Sequence, residues 1–68
     1  MKITDDLLLR RGFERKESQY GFYYVLGNFG IAKSIKWQPC NVETGEPLSM
    51  LLYVENMEEL EKMMKETS

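Results

Sequence analysis

The sequence has no histidine and a single cysteine, Cys40, among its 68 residues. Without histidine there is no Ser-His-Asp triad, no imidazole base near neutral pH and no imidazole metal ligand. One cysteine excludes a disulfide within the chain. With no second thiol and no imidazole, the usual tetrahedral zinc set is excluded as well. No basic residue neighbours Cys40 in sequence, Lys36 being the nearest, so nothing marks it as an activated thiol. It reads as a loop or strand-end cysteine. Long apolar runs are also missing. Leu7-Leu8-Leu9 is too short for a signal peptide and is preceded by Asp5 and Asp6, and nothing approaches the roughly 20 residues of a membrane span. The lone cysteine suits a reducing compartment, so a cytoplasmic location is expected, with no membrane contact.

What is present is an ordinary globular composition: 43% hydrophobic, 29% charged, net charge −2. The length allows one domain, residues 1–68. A chain this short buries only about 60% of its unfolded surface, so its core is small. With disulfide and zinc excluded, self-association or a partner is the remaining common support for so small a fold.

Ile3 to Gly12 reads as a short helix. Thr4 suits its cap, Asp5 and Asp6 its positive end, Arg10 and Arg11 its negative end, and Gly12 its left-handed stop. Ile3 and Leu8 occupy the positions of a hydrophobic staple. Phe13 to Glu17 is a charged edge strand. Tyr20 to Leu26 is an aromatic strand with Phe22, Tyr24 and Leu26 on one face and Tyr23 and Val25 on the other. Gly27-Asn28-Phe29-Gly30 connects it to a third strand, Ile31 to Trp37. There Lys33 lies among apolar neighbours, its aliphatic stem along the surface and its charge in water. Pro39 marks a bulge or strand end, and the strand resumes through Asn41 and Val42 to a turn at Thr44-Gly45. Leu48 to Glu55 is a fourth strand with Leu48, Met50, Leu52 and Val54 on one face. Asn56 to about Glu66 is a capped helix with the apolar stripe Met57, Leu60, Met63 and Met64. Glu58 with Lys62, and Glu61 with Lys65, are spaced as favourable pairs on its surface. The expected architecture is α+β: two layers, an antiparallel meander of three to four strands, and an N-terminal short helix and a C-terminal helix packed on one face.

No catalytic residue, cofactor or metal ligand is assigned. The carboxylates fall in turns and on the last helix, and Gly27-Asn28-Phe29-Gly30 lacks the lysine and following helix of a phosphate loop. The positive signal is aromatic: Tyr20, Phe22, Tyr23, Tyr24, Phe29, Trp37 and Tyr53 in one small sheet. Most of these rings serve as core. A sharper reading makes Tyr23, Tyr53 and Trp37, with Lys33 and Lys36, an exposed face for another protein chain, a second copy forming a homodimer or a larger partner. On that reading Tyr23→Ala or Tyr53→Ala weakens association without unfolding. The alternative is a single-stranded nucleic-acid-binding module that stacks bases on the aromatic sheet face, with Arg15, Lys33 and Lys36 near the phosphates. The acidic balance weighs against it. A non-enzymatic accessory or regulatory protein is therefore expected.

The opening I-T-D-D-L-L-L-R-R-G-F-E, the strand Y-G-F-Y-Y-V-L and the closing Y-V-E-N-M-E-E-L-E-K-M resemble a group of small bacterial proteins found in phages and other mobile elements. The resemblance implies a bacterial or phage cytosolic setting and a compact α+β fold. It brings no activity and no functional residues.

Overall fold

The first helix forms where its caps dictate. In the computed structural model, which describes residues 1–33, 36–49 and 51–67, α1 spans Asp5–Arg11. Thr4 is extended, and its Oγ1 accepts from the Leu7 N–H at 3.2 Å. At the other end Gly12 takes φ 114° and donates to Leu9 O, while the Phe13 N–H donates to Leu8 O at 3.0 Å. These two hydrogen bonds close the helix and turn the chain into the sheet, with Phe13 and Leu8 both buried.

The strands are β1 (Glu14–Ser18), β2 (Gly21–Leu26), β3 (Phe29–Lys33) and β4 (Trp37–Cys40), followed by α2 (Met57–Thr67). The sheet runs β1-β2-β3-β4 with every neighbour antiparallel, so it is a simple meander. One face carries the paired Tyr24 and Ile31, on which Leu8 of α1 and Leu60 of α2 close. Ile3, Phe13, Phe29, Trp37 and Val54 complete this core, and Leu26, Met57, Met63 and Met64 pack at its margin. The staple pair and the methionine stripe therefore bury as their spacing predicts. The cap of α2 is Asn56, as expected, and only its return bond differs by one residue. Asn56 Oδ1 accepts from the Glu59 N–H at 2.8 Å, but the Glu59 carboxylate accepts from the N–H of Glu55 rather than of Asn56. The structure pairs Glu61 across the fold with Arg11, whose guanidinium holds the Glu61 carboxyl below its ordinary value by hydrogen bonding.

Two strand assignments change. The expected third strand, Ile31 to Trp37, is divided between two antiparallel strands. β3 ends at Lys33, β4 starts at Trp37, and the two residues face each other as a pair. Ser34 and Ile35 lie outside the described residues. The described residues of the expected fourth strand, Leu48 to Glu55, form no strand. The segment's backbone bonds to β4 among the described residues lie near its two ends, Leu48 N to Pro39 O at 3.0 Å and Val54 N to Trp37 O at 2.8 Å. Pro39 is the reason: it has no N–H, so the outer edge of β4 cannot complete a fourth ladder. Met50, assigned to one face of that strand, lies outside the described residues, as does Ser68.

The second face of the sheet is also covered. The segment from Asn41 to Ser49 folds under it. Asn41 Oδ1 accepts from the N–H groups of Glu43 (2.7 Å) and Thr44 (3.1 Å), and Asn41 N donates to Glu46 O at 2.8 Å. The Tyr23 hydroxyl donates to the carbonyls of Val42 and Glu43, at 3.3 and 3.4 Å, and Gln38 Nε2 donates to Ser49 O at 3.4 Å. No helix among the described residues is long and apolar enough to cross a membrane.

Candidate functional site

The five residues proposed for a contact face do not share one. Tyr23 is 4% exposed and Trp37 is 7% exposed, so both are structural. Tyr23 lies on the second face beneath the Asn41–Ser49 segment, held by its hydroxyl. Trp37 lies on the helix side, its ring centroid 5.9 Å from that of Tyr24. This corrects the expectation that either presents an open ring. The doubly apolar character of β2 reflects two covered faces.

The remaining three do converge, beside the end of β3 and the start of β4. Lys33 pairs with Trp37 across the sheet and lays its Nζ 5.5 Å from the indole ring centroid. Lys36 lays its Nζ 5.0 Å from the centroid of Tyr53, a ring that is 45% exposed. The bond from Val54 N to Trp37 O seats Tyr53 there. Lys2 is brought alongside by its bridge to Asn56 and by Met57 N donating to Met1 O at 2.9 Å. Between them opens a cleft of about 420 Å³ lined by Lys2, Ile3, Lys33, Lys36, Trp37, Val54 and Glu55. Its floor is the buried apolar trio Ile3, Trp37 and Val54.

Beside the cleft runs a feature that strand periodicity hid. Leu48 is 65% exposed and Leu51 88% exposed, and Leu52 and Tyr53 are also exposed. A smaller groove of about 200 Å³ lies under this segment, lined by Phe29, Pro39, Cys40, Leu48, Leu52 and Met63 among others. The signal in the sequence is that Leu48, Leu51, Leu52 and Tyr53 put apolar groups on both faces of a segment that follows Pro39 and Pro47. An edge strand would not carry that pattern.

Cys40 closes this groove without chemistry of its own. It is buried, and burial pushes its thiol up to about 11. The sign follows from linkage. The unfolded thiol ionises first, near its ordinary 9.0, while the folded one stays protonated to about 11, so folding stability falls as pH rises across that window. Urea titrations of wild type and Cys40→Ala at stepped alkaline pH isolate the effect. The wild type is expected to lose stability relative to the variant between those values, and native Cys40 is expected to react slowly with a thiol reagent at pH 8. Tyr24 is likewise raised, first by burial and then by its hydrogen bond to Asp5. Among the described residues, no three Cys, Asp or Glu side chains converge to hold a metal ion.

No family model matches the chain, and neither a curated protein nor a solved structure matches it.

Proposed function

We propose that this chain is a non-enzymatic accessory or regulatory protein of the cytoplasm that acts by contact with another protein chain, a second copy or a larger partner. The observation that carries this reading is the exposed segment Leu48, Leu51, Leu52 and Tyr53, pinned to β4 at both ends. Leucines this exposed and this close together are uncommon on a free monomer and mark interaction surfaces. Tyr53 adds an amphipathic ring of the kind that anchors interfaces. The chemistry present supports a binding role over catalysis, since Cys40 is held as a protonated thiol and histidine is absent.

Native mass spectrometry of gently extracted protein tests this. The wild type is expected above the 8.0 kDa of the chain, as a multiple or with a second protein bound. Leu51→Glu is expected to return the monomer with its circular dichroism spectrum still that of the folded chain, because Leu51 is 88% exposed and lies outside the core. A wild-type monomer, or an assembly indifferent to Leu51→Glu, overturns the proposal.

A further inference from the structure

We infer that the lysine-rimmed cleft beside this segment takes an acidic stretch of the partner protein, a few residues with carboxylates flanking an apolar side chain. The inference rests on the contact reading and names what the contact recognises.

Lys2, Lys33 and Lys36 line one cleft, with Glu55 as the acidic residue among the lining, so the rim is net positive in a chain whose net charge is −2. The described ion pairs are Met1 with Glu58 and Arg11 with Glu61, and none of the three lysines has a carboxylate within 4.0 Å among the described residues. Three cations gathered without partners repel one another, and an external anion relieves that cost. Two of them are already oriented, Lys33 over Trp37 and Lys36 over Tyr53, so little further ordering is needed when a carboxylate arrives. The apolar floor of Ile3, Trp37 and Val54 asks for more than a bare anion, and the volume lies within the range of small binding sites.

Two competing occupants fit less well. Base stacking needs open ring faces, but Trp37 is buried and a face of Tyr53 is covered by Lys36. A second copy would offer the acidic helix α2. Three of its four glutamates, Glu58, Glu59 and Glu61, are engaged by Met1, the Glu55 N–H and Arg11 respectively. A different acidic chain, laid along Leu51 and Tyr53 and entering the cleft with its carboxylates, satisfies both surfaces together.

Trp37 is the single tryptophan and lines the cleft, so its fluorescence reports occupancy. The probe is a capped peptide with glutamates on both sides of a leucine, titrated beside its glutamine counterpart and a short oligothymidylate. Saturable binding of the glutamate peptide is expected, weakened on the order of tenfold from low to high salt. Lys33→Glu is expected to abolish it, and Lys36→Gln, farther from the core, to weaken it several-fold with the melting temperature unchanged. No saturable response, equal binding of the glutamine peptide, tighter binding of the oligothymidylate, or an unaffected Lys36→Gln overturns the inference. Leu51 is outside the cleft lining, so the two readings fail separately. Loss of the peptide response with the Leu51→Glu effect on assembly intact sinks the cleft alone, and the converse sinks the contact surface alone.

Discussion

Tyr23→Ala is expected to unfold most of the population at room temperature, while Tyr53→Ala leaves the fold intact. Tyr23 is 4% exposed beneath the Asn41–Ser49 segment, and its hydroxyl donates to two carbonyls there. Truncating a buried aromatic ring costs about 3–5 kcal/mol, and the stranded carbonyls add to that. A domain of this length holds roughly 3–10 kcal/mol in all. The loss is therefore comparable with the whole stability, and the covering segment loses its anchor. Tyr23→Phe separates the contributions: it keeps the ring and is expected to cost about 1 kcal/mol. Tyr53 is 45% exposed and belongs to no buried cluster, so its truncation is expected to stay within about 0.5 kcal/mol. Urea unfolding followed by circular dichroism measures all three.

Gly45→Ala is expected to be nearly as damaging, although it adds one methyl group. Gly45 has φ 78°, a conformation costing other residues about 1–2 kcal/mol. The new Cβ would also lie 2.7 Å from both Tyr23 Cδ1 and Ser18 Oγ. The Ser18 hydroxyl can rotate away, but the Tyr23 ring is walled in, and overpacking of this kind adds about 1–3 kcal/mol. The expected total is about 2–5 kcal/mol, seen as a fall in the urea midpoint with little change in slope. A change below about 0.5 kcal/mol would mean that the turn does not press on Tyr23 as described.

The two helices were legible because their signals are local. Thr4, Gly12, Asn56 and the methionine stripe act within a few residues of one another, and each does in the structure what its chemistry predicts. The sheet was harder for a specific reason. Lys33 pairs with Trp37 and Ile31 with Pro39, so paired positions share parity and the odd-even alternation of β3 continues in phase in β4. A hairpin placed this way cannot be told from one long strand by periodicity. Leu48 to Glu55 misled in the opposite direction. Its alternation was real, but the neighbouring edge lacks a donor at Pro39, a long-range fact that the segment itself does not contain. Of the candidate site, Lys33, Lys36 and Tyr53 came together as a group. Trp37 joins them as the buried floor of the cleft, and Tyr23 alone stands apart, because its face of β2 is covered by a loop whose path depends on the turn at Asn41 and Gly45. Lys2 was invisible as a site residue because it reaches the cleft through its bridge to Asn56.

A contact surface at Leu48, Leu51, Leu52 and Tyr53 is covered by another protein in the cell. Hydroxyl-radical footprinting in gently opened cells, compared with the purified chain, measures that side chain by side chain. Leu48, Leu51, Leu52 and Tyr53 are expected to be oxidised readily in the purified protein and protected in the cell. Tyr20 and Phe22, also exposed, serve as controls that stay reactive in both. Equal oxidation of Leu51 and Tyr53 in both settings would contradict the contact surface.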